Sequence, residues 1–239
     1  MDLISYLQNL THAGLVSERA ADVATLMGEA FTELLIPVIE LTIPLAAVSF
    51  ALGLALAVVL ALVRIKEVPV ATTLAGFFIW FVRGTPMLVQ LFIVFFGLPG
   101  MGLTVDPIPS AILVFTANVG AYASEILRGA IGAVPKGQWA AGRSLGLTEA
   151  GVMRLIVLPQ AMRTAFPALV NTLLGLIKDT SLASAVTVVE MFMAAQLAAA
   201  RTFEPFWLYM EAAFIYLMIS TVVAAAGAAL EKRLALPGR

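Results

Sequence analysis

Residues 41–63 read LTIPLAAVSFALGLALAVVLALV, 23 consecutive positions without a charged side chain. A helix rises about 1.5 Å per residue, so a run of this length crosses the roughly 30 Å hydrocarbon core of a bilayer. The surrounding sequence extends the pattern. Charge-free runs recur at 68–82, 84–105, 107–124, 164–177 and 212–230. Over all 239 residues 61% are hydrophobic and only 12% charged, about half the charged share of an ordinary soluble domain. So few charges cannot cover the surface of a soluble fold of this size. The runs predict an all-α polytopic membrane protein with about five transmembrane helices, near 39–63, 72–98, 107–130, 160–177 and 207–230. Residues 178–205 read as a less regular return stretch that opens on Lys178-Asp179.

Orientation follows from the basic residues, which concentrate on the inner side of a membrane. With the N-terminus outside, Arg64, Lys66, Arg128, Lys136, Arg143, Arg154, Arg163, Lys232, Arg233 and Arg239 all fall inside, ten of the 14. Arg19 and Arg201 fall outside, and Arg83 and Lys178 fall at membrane depth. The expected arrangement is N-out and C-in, multi-pass, in the cell (plasma or inner) membrane. The chain divides into an N-terminal extracytoplasmic segment at 1–36, a transmembrane domain at 37–234 and a C-terminal tail at 235–239. Leu3, Ile4, Leu7 and Leu10 recur at helical spacing, which suits an amphipathic helix lying on the outer surface, with a mobile tail as the open alternative. Asp2 and the absence of a basic residue before Arg19 argue against a signal peptide.

Composition also removes whole classes of chemistry. The net charge is −1, which does not suit a nucleic-acid binder. There is no cysteine and a single histidine, His12, so thiolate metal sites, disulfides and HExxH zinc sites have no material. No lysine stands in a GxxxxGK[ST] phosphate loop. Gly142-Arg143-Ser144-Leu145-Gly146 matches GxSxG, but a nucleophile elbow needs a preceding strand and a histidine base. Here the serine falls in a helical loop, and His12 falls on the other side of the membrane.

The longest inside connection runs over 128–159, RGAIGAVPKGQWAAGRSLGLTEAGVMRLIVLP. Pro135 can open a helix, because a first turn does not need its missing N–H. Residues 138–145 then read as a short helix, and Gly146 suits the left-handed position that ends it. Thr148 can cap a second helix, which must stop or kink near Pro159. Ala140-Ala141-Gly142, then Gly146, Ile156, Leu158 and Pro159 at the intervals Gly-x9-Ile-x-Leu-Pro, resemble the EAA loop of ABC importer permeases. FVRGTPMLVQLFIVFFGLP at 81–99, ANVGAYASEILRGAI at 117–131 and LIKDTSLASAV at 176–186 are similar to signatures of the polar amino-acid permeases. DPIPSA at 106–111 and AARTFEPFWLYMEA at 199–212 resemble the cystine-type members.

The resemblance implies a non-catalytic permease subunit of an ATP-driven importer, translocating polar amino acids with cystine favoured. It implies that 135–159 is a coupling-helix loop docking on a dimer of separate ATPase subunits. Gln138, Trp139, Ala140, Ala141, Arg143, Leu145 and Gly146 would make that contact. ATP and Mg would act on the ATPase, with no cofactor or metal in this chain. The other implied partners are an extracytoplasmic substrate-binding protein, the lipid bilayer and a second permease chain, expected to be an identical copy. Two departures stand out: the family's loop usually has Glu where this chain has Ala140, and Ala where it has Gly142.

Charges at membrane depth are costly and usually face a cavity or a partner. Arg83, Glu125, Lys178 and Asp179 are such charges. Gly84-Thr85-Pro86 should break the second span, freeing backbone groups that are tolerated only where they line a cavity or face protein. A helix opening near Pro86 would turn its positive end toward the break. Asn118, Tyr122 and Glu125 share a helical face. With Lys178, Asp179, Thr180 and Ser181 these residues make up a candidate substrate path. Two alternatives stay open at this level: Arg83 pairs with Glu125 at a purely structural kink, and Lys178 pairs with Asp179. An ion- or proton-coupled secondary transporter is the alternative function, with Arg83, Glu125 and Asp179 as coupling sites.

Overall fold

The computed structural model describes residues 18–234. Helix α1 (Glu18–Pro37) runs through a π-helical turn at Val38–Thr42 into α2 (Ile43–Ile65). After a short turn come α3 (Ala71–Gly84) and α4 (Met87–Phe92), the latter continued by a π turn and a 3₁₀ turn to Met101. Then follow α5 (Pro107–Gly132), α6 (Lys136–Ser144), α7 (Glu149–Val152), α8 (Leu158–Asp179), α9 (Met191–Thr202) and α10 (Pro205–Leu234). No strand occurs among the described residues.

By length and composition three helices can cross a bilayer unaided: Arg19–Ile65, Pro107–Gly132 and Pro205–Arg233. Two bent pairs qualify jointly, Ala71–Gly84 with Met87–Met101 and Glu149–Val186 with Met191–Thr202. Counting each pair as one span gives up to five by length and composition, the fourth taking in Met191–Thr202 from the expected return stretch. The return stretch is a 3₁₀ turn (Thr180–Val186) followed by α9.

The expected division at residue 36 falls inside a continuous helix of 47 residues, Arg19–Ile65, about 70 Å long. Leu34 and Val38 pack with Met191 and Ala195 of α9 and with Ala212 and Ile215 of α10. Ala30 meets Ala198, Ala199 and Leu208. The described part of 1–36 is therefore docked on the bundle. The Leu3–Leu10 pattern lies outside the described residues.

Each of the three π turns ends two residues before a proline. Val38–Thr42 precedes Pro44, Ile93–Gly97 precedes Pro99, and Met153–Val157 precedes Pro159. A proline inside a helix offers no N–H and its ring presses on the carbonyl four residues back. Widening the preceding turn relieves that pressure while keeping the backbone bonded.

The core is built on α2 against α5. Without a water-driven force between helices in lipid, small residues that let backbones approach supply the packing. Gly53 of α2 lies against Val119 so closely that a Cβ there would stand 2.5 Å from the valine Cβ. A Cβ on Gly120 of α5 would stand 2.6 Å from Leu56 Cδ2. Ala57, Ala61, Val114, Phe115 and Ala123 complete this contact. The outer faces carry Phe77, Trp80, Phe206, Phe214, Leu217 and Val222, all exposed; in a bilayer lipid covers them.

Gly53→Val should destabilise the chain by roughly 1–3 kcal/mol through overpacking. Gly76→Ala, where nothing lies within 4 Å of the added Cβ, should leave it unchanged. Thermal unfolding of detergent-solubilised protein measures both. Equal melting temperatures for Gly53→Val and the parent would contradict the packing described.

Candidate functional site

The second span breaks where the sequence places Gly84-Thr85-Pro86. Proline restricts the residue before it to extended backbone, and Thr85 has φ −119° and ψ 146°. Pro86 is also extended, with φ −63° and ψ 136°, and the two helical segments meet at 107°. Such a break strands carbonyls that the helix would have bonded. Gln90 answers them from one turn inside α4. Its amide donates to Val82 O at 2.8 Å, to Thr85 O at 3.2 Å and to Thr85 Oγ1 at 2.8 Å. Thr85 Oγ1 in turn donates to Phe81 O at 2.9 Å. Gln90 itself is buried.

The break forms one wall of a cavity of about 370 Å³. Thr85, Pro86 and Met87 face Asn118, Val119 and Tyr122 of α5 across it. Thr172, Gly175, Leu176 and Asp179 of α8 close the third side. The cavity therefore combines two hydroxyls, an amide, a phenol and a carboxylate with apolar side chains. Arg83 lies with its guanidinium 5.0 Å from the centre of the Tyr122 ring, a favourable cation–π placement.

The structure brings Thr85, Asn118, Tyr122 and Asp179 together and separates the other expected residues. Glu125 does not pair with Arg83. Its carboxylate binds Arg64 of α2 and Arg128, the latter at 2.8 Å and 3.3 Å. Lys178 and Asp179 do not pair either. Lys178 lines a different cavity of about 550 Å³ with Ser181, Tyr209 and Tyr216. Thr180 is fully buried and donates to Ile177 O at 2.7 Å; Ser181 donates to Lys178 O at 2.7 Å. Gly84 ends α3 in an exposed position.

Sequence reasoning passed over Thr172, Gly175 and Leu176, whose place on the cavity depends on how α8 is rotated. It also passed over Glu190. This fully buried carboxylate caps α9, accepting from Met193 N at 2.9 Å and from Tyr216 Oη at 3.0 Å. A lone acid between Val188-Val189 and Met191-Phe192 is itself a signal. Scanning for charge-free runs treats such a residue as a boundary and hides it.

The 128–159 segment forms one short helix, α6, joined at a glycine to α7, which does not stop near Pro159 as expected but runs on through the π turn into α8. Pro135 precedes α6, Gly146 has φ +76°, and Thr148 Oγ1 accepts from Gly151 N at 3.2 Å at the start of α7. Arg143 grips Glu149 with two bonds, at 2.6 Å and 3.3 Å. Gln138, Ala140, Ala141 and Gly146 are exposed and Leu145 is 78% exposed, while Trp139 is half-buried. Gly142 faces inward. A Cβ there would stand 2.7 Å from Ile156 Cδ1 and 2.9 Å from Val152 Cγ2. Glycine at this position thus lets α6 rest on the chain leading into α8.

Residues 49–236 match the family model of the binding-protein-dependent transport system inner membrane component. The chain belongs to that family. It is a multi-pass membrane permease subunit, and in this family ATP hydrolysis resides in a separate subunit. The chain is 44% identical over 210 residues to the L-cystine transport system permease protein TcyB of Bacillus subtilis (strain 168), covering 87% of this chain and 90% of that one. It is 37% identical over 205 residues to the nopaline transport system permease protein NocM of Agrobacterium fabrum (strain C58 / ATCC 33970), covering 82% and 85%. Its structure is similar to that of an amino acid ABC transporter crystallised with histidines. The TM-score there is 0.76 at 29% identity, over 80% of this chain and 90% of the other.

Two substitutions test the local architecture of this permease. Gln90→Leu leaves the carbonyls of Val82 and Thr85 without that donor and should cost about 1–3 kcal/mol per stranded group, read as a lowered melting temperature. Gly142→Leu should loosen the loop, read as faster proteolysis between α6 and α8, whereas Gly137→Ala, with open space around it, should not.

Proposed function

We propose that this chain is the membrane-spanning subunit of an ATP-driven importer for polar amino acids, with cystine favoured. The observation that carries the reading is the cavity at the Thr85-Pro86 break. Asp179 offers a carboxylate to a substrate ammonium, and the Thr85 hydroxyl and Asn118 amide offer hydrogen bonds to its polar atoms. Pro86, Met87, Val119 and Leu176 add apolar contacts around these groups. The cystine preference rests on the likeness to TcyB, and the broader class on the likeness to the amino acid ABC transporter.

In this reading the basic loops face the cytoplasm and the N-terminus lies outside. Two identical chains form the pore. A dimer of ATPase subunits, carrying ATP and Mg, grips the two exposed loops around Trp139, Ala140, Arg143, Leu145 and Gly146. With Ala140 in place of the family's Glu, docking relies on the protruding Leu145 and the shape of the glycine turn. A binding protein delivers solute to the outer face. ATP-driven closure draws the two loops together and turns the pore from inward-facing to outward-facing.

Uptake of labelled cystine, arginine, glutamine and glutamate tests this in cells lacking other importers but expressing the chain with its ATPase and binding protein. Cystine should be preferred. Asp179→Asn should reduce its uptake about tenfold or more, the value of a hydrogen bond to a charged group. Leu145→Asp should leave the chain folded and abolish binding-protein-stimulated ATP hydrolysis. Preference for arginine would overturn the cystine assignment, and absence of stimulated hydrolysis in the parent complex would overturn the importer reading.

A further inference from the structure

A second cavity opens where α2, α5 and α6 meet, beside the ends of α2 and α5. It encloses about 540 Å³. Arg64, Arg128, Lys136 and Arg143 line it, with Glu67 as the one carboxylate among the lining residues. Behind the wall, Glu125 serves both Arg64 and Arg128, so one negative charge answers two guanidinium groups. Arg143 is matched by Glu149. Among the described residues Lys136 belongs to no ion pair, and it is exposed. The cleft therefore keeps a net positive charge. Guanidinium forks and an ammonium suit the several oxygens of a phosphate.

The same cleft is amphiphilic. Ile65, Ile131, Val134 and Trp139 line it beside the cations. It lies at the end of two apolar helices, since α2 stops at Ile65 and α5 at Gly132. That is the depth of lipid headgroups, where tryptophan is favoured. Val58 and Leu62 are exposed on α2 and lie seven and three residues before Ile65, on one helical stripe. The stripe leads from the hydrocarbon face directly into the basic cleft. A soluble anion would use the cations and gain nothing from the stripe. An acyl chain with a phosphate at its head uses both.

We propose that this cleft binds the phosphate-bearing headgroup of an anionic glycerophospholipid, with one acyl chain lying along Val58 and Leu62. The lipid would bridge α2, α5 and α6, and so tie the start of the exposed loop to the span ends.

The test uses the full-length chain with Trp80→Phe and Trp207→Phe, which leaves Trp139 as the only fluorophore of its kind. The protein is placed in phosphatidylcholine vesicles, and quenching by brominated phosphatidylglycerol is compared with quenching by brominated phosphatidylcholine. The anionic lipid should reach half-maximal quenching at about fivefold lower mole fraction, the value of one basic residue near an anionic headgroup. Lys136→Glu should remove the preference, and Glu67→Gln should strengthen it, so that two changes of opposite sign report on one site. Excess inorganic phosphate in the aqueous phase should leave the preference in place. Equal quenching by the two lipids would overturn the proposal and favour a cleft built for an acidic protein surface. Loss of the preference in inorganic phosphate would overturn it in favour of a soluble-anion site.

Discussion

In hydrocarbon no water is at hand to bond a backbone group that its helix has released. At Thr85-Pro86 the second span releases several, and the Gln90 amide takes up the carbonyls of Val82 and Thr85. That one side chain lets the chain turn through 107° at membrane depth. The turn in turn exposes Thr85, Pro86 and Met87 to α5 and α8 and so creates the polar cavity. The close approach of α2 to α5 at Gly53 and Gly120 sets the position of Asn118 and Tyr122, which lie on the same helix within two residues of Gly120. Packing and site thus share a single frame.

Different elements were legible to different degrees. Charge-free runs pointed to the long apolar helices because the cost of a charge in lipid is large compared with any local propensity. Pro135, Gly146 and Thr148 marked the loop helices because each has a backbone preference that acts within its own turn. Pairings across the bundle were not legible. Glu125 sits one turn from Tyr122, yet its partners Arg64 and Arg128 draw it away from the cavity. Lys178 and Asp179 are adjacent, but successive side chains on a helix point about 100° apart, and the two end in separate cavities. The continuity of α1 with α2 was hidden because its charged positions read as a boundary, whereas its apolar face docks on α9 and α10.

Two placements of proline contrast in this protein. Pro86 follows an extended residue and ends a helix outright. Pro44, Pro99 and Pro159 each follow a widened turn and leave the helix running. A π turn keeps most backbone groups bonded; at the one before Pro159 the Gln160 amide adds a bond to Ile156 O at 2.8 Å. The sharp break depends on Gln90, and it is the sharp break that lines the cavity. One turn further along α5 from Tyr122, Arg64 and Arg128 share Glu125 and join the ends of α2 and α5 beside the loop. The loop's own shape depends on Gly142 beneath and Gly146 at its tip.

The proposed importer role requires that the cavity at the helix break be reached by solvent from one side of the membrane. The parent sequence has no cysteine, so a single introduced thiol reports on one place only. In intact membrane vesicles, Asn118→Cys on the cavity wall should react with a charged, membrane-impermeant maleimide, and Leu217→Cys on the outer face of α10 should not. An Asn118→Cys thiol as unreactive as Leu217→Cys, in protein that still unfolds at the parent temperature, would contradict that role.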